Sequence, residues 1–363
     1  RHHPNPLYLK DRHINISDDS RLMKLVYQGI ENELQINPRA TIFLLLLKFL
    51  VYLFLVVFFY LLIYTTDQPV IFFVAYTAYG LSAVLFGFNY AHDCSHNTVF
   101  KSKSLNSGFF IFIYSLVGAH AEAWRYRHIH SHHYAPNVKE YDTDLQITSL
   151  IRVEPDSHWR WYHRFQHWYA PLAYMTYSVY WVFIKDFLIY AKDCRCQPTK
   201  PFWYHVSFWL QKIFYLGYLL FLPLYFSGMD WYLVLAAFLL MHAVQSLFLL
   251  FTFFMTHHVE ATAYFKADEE GYIPSSWFMN QVKSSNDFYP FSKTANFIFG
   301  GFNNHIAHHL FPHIHHVHYP KLNRILYRVL QENQIRPNET GFFTGIISHL
   351  AHLRKLSHQP SDK

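Results

Sequence analysis

The sequence predicts an all-α integral membrane protein with four transmembrane helices beneath a cytosolic helical cap. Of its 363 residues, 52% are hydrophobic and 20% aromatic, whereas only 15% are charged. A soluble domain carries more charge and fewer aromatic side chains. Four apolar stretches each approach the ~20 residues that a helix needs to cross a ~30 Å hydrocarbon layer. Lys and Arg are distributed unevenly among the loops, which is typical of a membrane protein.

The four apolar stretches form two close pairs, at residues 41–64 with 70–90 and at 206–226 with 231–255. The short linkers within the pairs, 65–69 and 227–230, hold no Lys or Arg. Nearly all basic residues lie in the N-terminal tail, in the middle segment and after the fourth stretch. Because positive charge marks the cytoplasmic side, we expect both termini and the middle segment to be cytoplasmic.

Two further apolar stretches, residues 107–119 and 170–191, are rich in Tyr and Trp and are expected to lie along the cytoplasmic face as interfacial helices. Lys48 and Lys212 fall early in their spans, so we expect both to snorkel back towards that face.

We predict one domain over residues 1–363. It consists of a cytosolic N-terminal segment (1–40), two transmembrane hairpins (41–90 and 206–255) and a cytosolic cap (91–205 and 256–363). The net charge of +6 is spread out, which excludes a nucleic-acid stripe and suits a membrane surface. The three cysteines fit no zinc motif and are expected to be reduced thiols.

Histidine is the residue type that composition does not explain, with 27 histidines against 24 acidic residues. Buried histidines are costly unless they are partnered, and histidine is a common metal ligand. Four groups stand at or near the ends of the spans or in the cap: His92 and His96; His128, His132 and His133; His257; and His305, His308 and His309.

Helical pitch brings the members of each group together, because residues at i and i+3 or i+4 project from the same face. One such pair is a weak signal and more often reflects packing. Several groups on one membrane face predict metal binding in the cap. Nine imidazoles exceed the four ligands of a zinc ion and suit two metals, but nitrogen ligands accommodate iron, copper, nickel or zinc alike.

The sequence resembles the membrane fatty acid desaturase family, closest to its linoleoyl-CoA or front-end branch. The resemblance is carried by HDCSH at 92–96, WRYRHIHSHHYAPNVKEYDTDL at 124–145, HHVEATAYF at 257–265 and FGGFNNHIAHHLFPHIHHVHYPKL at 299–322. It implies a di-iron centre that uses O₂ as co-substrate. The family's ligands fall on His92, His96, His128, His132, His133, His257, His305, His308 and His309.

Two features depart from the front-end pattern. Front-end proteins often carry Gln where this chain has His305, which weakens a prediction of front-end regiochemistry. The His-Pro-Gly-Gly haem motif is absent from the sequence, so we expect no fused cytochrome b5 domain and a separate electron donor of ferredoxin or cytochrome b5 type. We expect a bacterial inner membrane rather than the endoplasmic reticulum.

Carboxylates near the histidine groups are candidates to accept the outer N–H of a ligand imidazole. The alternative for each is an ordinary surface charge. The candidates are Asp93, Asp142, Asp144, Glu260 and Asp287, and Glu122 lies near them. His130 and His258 adjoin ligands but lie out of phase with them, so we expect them to be exposed or to support a ligand.

Three residues are candidate substrate contacts. Trp124 and Arg125 could hold a head group by stacking and charge. His242 lies inside the fourth span, where a polar residue usually faces a cavity or a partner helix. It could line a path for the substrate tail, and a packed helix contact is the alternative.

The predicted function is O₂-dependent desaturation of a fatty acyl lipid or acyl thioester. A hydroxylase, epoxidase or acetylenase on the same fold is the first rival, and only product analysis separates these. A histidine-rich zinc receptor or transporter is the second, but its polar residues should recur through several spans.

Overall fold

The computed structural model describes residues 12–146, 148–196 and 200–359. These residues are mostly helical and form two compact units. The first unit comprises Arg1–Thr41, Tyr126–Ala170 and Phe251–Lys363, and the second comprises Ile42–Arg125 and Pro171–Leu250. The predicted all-α class is confirmed. The part of the predicted N-terminal segment before residue 12 lies outside the described residues.

The elements follow in chain order. The α-helices are α1 Ser17–Glu33, α2 Pro38–Thr65, α3 Pro69–Phe86, α4 His92–Ser95, α5 Lys103–Val117, α6 Ala121–Arg127, α7 Gln166–Met175, α8 Tyr177–Tyr180, α9 Asp186–Cys196, α10 Phe202–Leu216, α11 Leu222–Phe226, α12 Trp231–His257, α13 Trp277–Ser284, α14 Lys293–Phe299, α15 His305–Leu310, α16 Tyr319–Glu332 and α17 Phe342–Lys355. The π-helical turns are Gly87–Ala91, His128–His132, Trp181–Lys185 and Gly217–Phe221. The 3₁₀ turns are Thr143–Gln146, Trp161–Phe165 and His316–His318, and the strands are β1 Asp287–Phe288 and β2 Glu339–Thr340.

Within the described residues, four helices are long and apolar enough to span a membrane: Pro38–Thr65, Pro69–Ser95, Phe202–Phe226 and Trp231–His257. Their positions confirm the four predicted spans. The second span continues beyond the apolar stretch through His92, and the fourth ends at His257. The count rises to five only if the sharply bent pair Lys103–Val117 and Ala121–His132 is taken as one span.

The second unit contains more than the spans. It also includes residues 91–125 and 171–205, which were predicted to belong to the cap. The reason is packing, because α5 contacts both α3 and α10. Aromatic side chains extend these contacts, as where Phe109 lies against the ring of Tyr90.

A buried ion pair fixes the start of the third span. Lys212 donates to the Asp186 carboxylate at 2.7 Å and also to the carbonyls of Gly118 and Val182. The same carboxylate accepts the backbone N–H of His120 at 2.7 Å. The prediction that Lys48 and Lys212 snorkel to the surface is therefore wrong, since both side chains are buried. For Lys212, the Asp186 carboxylate inside the unit removes the need to reach water.

Tyrosine hydroxyls satisfy the irregular backbone of the third span. A π-helical turn displaces carbonyls from the regular i to i−4 pattern, and in lipid a free carbonyl is costly. Tyr60 donates to the carbonyl of Tyr218 at 2.6 Å, and Tyr76 donates to that of Leu219 at 2.8 Å. Both acceptors lie in the π-helical turn Gly217–Phe221.

The first unit is built around a helical core. Helix α1 buries Leu22, Val26 and Ile30, spaced four residues apart, against α16. Helix α15 packs between α13 and α16, so its histidines are buried in the same core. Strands β1 and β2 form a short parallel pair in the register Asp287 to Glu339.

We expect Asp186→Ala to lower the free energy of unfolding by roughly 3–5 kcal/mol, because it leaves a buried cation without its partner. Thermal unfolding of the detergent-solubilised protein measures this. Replacing both partners, as in Asp186→Asn with Lys212→Met, should cost less than the single change. Lys192→Ala, an exposed position on the same helix, is the control, and an equal loss there would contradict the assignment.

Candidate metal centre

Four imidazoles in the first unit point one nitrogen each at a common position. They belong to His132, His257, His305 and His309. The Nε2 atom of His257 lies 3.0 Å from that of His132, 2.7 Å from that of His305 and 3.2 Å from that of His309. All four ligand atoms lie within 4.8 Å of one another, and all four residues are buried. We call these residues the four-histidine group.

The opposite nitrogens of three of these rings are held by acceptors. His132 Nδ1 lies 3.2 Å from a carboxylate oxygen of Asp142. His257 Nδ1 lies 2.8 Å from the carbonyl of Ser284, and His309 Nδ1 lies 2.8 Å from the side-chain oxygen of Gln281. A carbonyl or carboxylate can only accept, so in each ring Nδ1 carries the hydrogen. The Nε2 lone pairs are thereby directed at the shared position.

This donor set fits a transition-metal ion. Nitrogen ligands at about 2.1 Å from one ion stand about 3.0 Å apart at right angles, which is close to the observed separations. Burial favours the neutral imidazole that a metal requires. It holds the pKa of His309 well below its usual range, and neighbouring histidines lower it further.

Asp142 adds a negative charge beside this group. Its carboxylate also accepts the backbone N–H of Asn137 and of Asp144, each at 3.0 Å, so its position is fixed. Asp144 itself lies 3.8 Å from His132 Nδ1 and is partly exposed. Burial tends to lower the pKa of His132, but Asp142 outweighs this effect and raises it.

A second group of histidines lies beside the first. His133 Nε2 is 3.0 Å from His128 Nε2. The ring of His308 stands 4.5 Å from that of His133 and nearly parallel to that of His128. His308 Nδ1 lies 3.4 Å from the hydroxyl of Tyr319. We call His128, His133 and His308 the three-histidine group.

We call the histidine-bearing segments 92–96, 128–133 and 305–309 the first, second and third boxes. The α-helical spacing predicted from the sequence is wrong for the second box. It pairs His128 with His132 at i+4, whereas His128 meets His133 at i+5. Residues His128–His132 form a π-helical turn, in which the backbone N–H of His133 bonds to the carbonyl of His128. This wider turn aligns i with i+5. The prediction holds for His305 and His309, whose Nε2 atoms lie 3.2 Å apart.

The start of α15 is held by buried polar groups. Asp287 accepts the backbone N–H of Ile306 at 2.9 Å and the hydroxyl of Tyr327 at 2.7 Å. Asp287 was predicted to orient a ligand, and these bonds show it holding the helix that carries three of the predicted ligands. Burial raises the pKa of Asp287 to about 7. Asn304, at the cap of α15, donates to Asn296 at 2.8 Å.

Known proteins resemble this chain over most of its length. A family model described as "Fatty acid desaturase" matches residues 67–341. An sn-1 linoleoyl-lipid 6-desaturase of Arthrospira platensis is 30% identical over 78% of this chain and 77% of its own length. Acyl-lipid (8-3)-desaturases are also similar. That of Physcomitrium patens is 30% identical over 76% of this chain and 58% of its own length, and that of Mortierella alpina 29% over 78% and 65%.

The chain belongs to the fatty acid desaturase family. The predicted family, enzyme class and fatty acyl desaturation are thereby confirmed, as is the likeness to linoleoyl and front-end-type relatives. The protein is a membrane enzyme with histidine clusters able to hold metal.

The two remaining predicted ligands of the desaturase lie in the second unit. His92 and His96 are one helical turn apart, with ring centroids separated by 5.2 Å. Burial lowers the pKa of His96 to about 4, partly opposed by Asp93. Asp93 accepts a hydrogen bond from Thr98 within its own turn, and its charge acts on His96. That His92 and His96 join the same centre stays a prediction.

Three other residues near the histidine groups differ in their exposure. Glu260 is exposed, unlike the buried imidazoles it was predicted to orient, because it follows the end of α12 at the surface. His130 is exposed, as expected. His258 is buried and its Nδ1 lies 2.8 Å from the hydroxyl of Tyr264.

The candidate substrate residues belong to the second unit. Arg125 donates to Ser107 at 3.0 Å and lies over the ring of Phe110, and Trp124 packs against the same ring. Both ring nitrogens of His242 are engaged, Nδ1 with Ser178 at 2.7 Å and Nε2 with Tyr215 at 2.8 Å. The structure therefore supports the packed helix contact for His242 rather than a substrate path.

Sequence reasoning missed the neutral groups that hold the ligands. Gln281 and the carbonyl of Ser284 come from α13, which has no histidine and no motif. Asn137 donates its side-chain amide to the carbonyl of His257 at 2.9 Å. The one available signal was the density of Asn, Gln and Ser in the otherwise apolar segments near the boxes.

We expect Asp142→Asn to lower the desaturase's metal affinity about 10- to 100-fold, because the imidazole of His132 loses its charged partner. Metal retained after dialysis against a chelator measures this. Asp156→Asn, at an exposed position further along the same loop, should retain metal as the unchanged protein does. Equal retention by both variants would remove Asp142 from the site.

We expect Gly301→Ala, next to the third box, to lower the free energy of unfolding by more than backbone strain alone would. Gly301 has φ +84°, and an added Cβ would lie 2.4 Å from Cβ of His316. Gly228 has φ +75° with open space around it, so Gly228→Ala should cost only the strain, about 1–2 kcal/mol. Thermal unfolding and metal content are measured for both variants. Equal losses of stability in the two would contradict a steric clash between the added Cβ and His316.

Proposed function

We propose that this desaturase holds two iron ions and introduces a double bond into an acyl chain of a membrane lipid. The convergence of four Nε2 atoms within 4.8 Å of one another carries the proposal. The four-histidine group would hold one ion, and the three-histidine group would supply ligands to the other. His92 and His96 are kept as ligands on the strength of the sequence. The choice of iron rests on the family, because the nitrogen donors alone accept several metals.

When bound, the iron supplies the activation of O₂ that lets two unactivated C–H bonds break. The overall balance is R–CH₂–CH₂–R plus O₂, two electrons and two protons, giving R–CH=CH–R and two waters. The two electrons come from a separate carrier, which we propose to be of ferredoxin or cytochrome b5 type.

The chain's own contribution is to fix the orientation of the imidazoles, and burial favours the neutral form of His309. Ser284, Gln281 and Asp142 hold the Nδ1 hydrogens, so each ring presents its lone pair without rearranging. Burial of the group excludes water, which strengthens electrostatic interactions within it. Asp142 offsets part of the positive charge of a bound ion.

The substrate class follows from the relatives and the spans. The relatives' names specify linoleoyl-lipid and acyl-lipid substrates, and this chain carries four membrane-spanning helices. We propose an acyl chain attached to a membrane lipid, with a soluble acyl thioester as the alternative substrate to be tested beside it.

The cytosolic placement of the site is also proposed. The second and fourth spans each follow a short linker without Lys or Arg and end at a histidine group. The positive-inside rule supports a cytosolic position for the ends at His92 and His257. We propose a bacterial inner membrane as the location.

The product identifies the reaction. The full chain in lipid nanodiscs, supplied with Fe(II), NADPH, a reductase and a ferredoxin or a cytochrome b5, should convert linoleoyl phosphatidylcholine to a product two mass units lighter per acyl chain. Mass spectrometry of the released fatty acids measures this mass change, and ¹³C NMR of the product separates a new double bond from a triple bond of the same mass. A product 16 units heavier would instead indicate a hydroxylase or epoxidase, and conversion only of linoleoyl-CoA would assign the thioester.

We expect His309→Ala to abolish turnover and to lower bound iron from about two ions per chain to about one or fewer, because it removes one of the four converging nitrogens. Metal analysis and the product assay measure this. His130→Ala is the matched control, since His130 is an exposed histidine within the second box, and it should leave both values unchanged. Full iron content in the His309 variant would contradict the ligand assignment.

A further inference from the structure

One segment of the first unit, residues 158–170, is inverted relative to the usual pattern of a soluble protein. Two of its polar side chains, His163 and Gln166, face the interior, whereas its most exposed aromatic side chains face outward. It lies outside the four spans and combines the 3₁₀ turn Trp161–Phe165 with the start of α7. Such an exposed aromatic surface marks contact with another phase or molecule.

The inward face is polar and tightly held. His163 Nε2 lies 2.9 Å from the carbonyl of Ser149. Gln166 is fully buried, where it accepts the backbone N–H of Arg152 at 2.8 Å and donates to the carbonyl of Leu353 at 2.8 Å. These bonds fix which face of the segment points outward. The aromatic side chains are therefore exposed whichever rotamer they adopt.

The outward face is formed by Trp161, Phe165 and Trp168, spaced at i, i+4 and i+7. Their side chains are 69%, 51% and 76% exposed. Leu150 extends this surface with 54% exposure, and its carbonyl accepts the hydroxyl of Tyr169. We call Leu150, Trp161, Phe165 and Trp168 the aromatic strip.

The charge around the strip is positive. Arg160 and Arg164 are exposed within the same segment, and residues 157–170 contain no Asp or Glu. The guanidinium of Arg164 lies over the ring of Phe165. Tryptophan beside arginine is the composition of helices that lie in the membrane–water interface, where the indole sits at headgroup level and the guanidinium meets lipid phosphates.

We propose that the aromatic strip is inserted into the lipid interface and anchors the first unit to the membrane surface, independently of the spans. A bilayer is favoured over a protein partner because the strip combines several large aromatics with phosphate-binding cations and no acidic residue. The occupant is the headgroup and upper acyl region of a leaflet containing anionic phospholipid.

The test measures how deep a spin label at position 168 lies. Trp168→Cys is prepared on a background of Cys194→Ser and Cys196→Ser, since Cys94 is buried. Trp168 is mostly exposed, so the substitution should leave the fold intact. The full chain is placed in nanodiscs of phosphatidylcholine and phosphatidylglycerol, and the label's accessibility to O₂ and to a water-soluble nickel chelate is measured.

Two matched positions calibrate the measurement. Leu46→Cys reports an exposed side chain within the first span, and Gln331→Cys reports an exposed side chain on α16. We expect the O₂-to-nickel accessibility ratio at position 168 to exceed that at 331 by roughly threefold or more, and to approach that at 46, because the bilayer excludes the charged chelate. Thermal unfolding confirms that each labelled protein is folded.

Two results would overturn the proposal. The first is a ratio at position 168 equal to that at 331, which would place the strip in water. The second is protection of the label only after a ferredoxin or cytochrome b5 is added, which would assign the strip to a protein partner. Loss of desaturase activity plays no part in either outcome, so the anchoring and the proposed reaction fail separately.

Discussion

The first unit has to hold four imidazole lone pairs close together although they repel one another. Nε2 atoms 2.7–3.2 Å apart, all facing one position, repel unless a cation or shared hydrogens lie between them. Hydrogen-bond acceptors on the opposite side of the rings maintain this geometry. They bind the Nδ1 atoms of His132, His257 and His309. Because those acceptors are buried, the rings cannot turn away without breaking hydrogen bonds that water would not replace.

Further buried hydrogen bonds, made by Asn137 and Asp287, connect the acceptors and the elements that carry the histidines. Asn137 binds both the carboxylate of Asp142 and the carbonyl of His257, which joins the second box to the end of the fourth span. Asp287 holds the start of α15 and thereby the third box. The geometry of the candidate metal centre therefore depends on a continuous buried polar layer, and this layer explains why so many Asn, Gln and Ser side chains are buried beside the boxes.

The sequence predicted the parts that depend on composition and local spacing. Span positions follow from hydropathy, and the histidines that meet in the first unit follow from histidine spacing together with the family resemblance. It could not predict the π-helical turn at His128, because the same spacing suits an α-helix and only packing selects the wider turn. Neither could it predict the partner of Lys212, since Asp186 is a long-range contact that charge patterning treats as a surface residue. Glu260 shows the converse error, in which nearness in sequence was taken for nearness in space.

Neighbouring residues are divided between the two histidine groups at two places. His132 and His133 contribute to different groups, and so do His308 and His309, with ring centroids 6.1 Å and 5.7 Å apart. Consecutive Cα atoms are about 3.8 Å apart whatever the surrounding packing does. The distance between the two groups is thus set at both places by a single peptide unit. Small helix motions can shift both groups together, but they change the distance between the groups little.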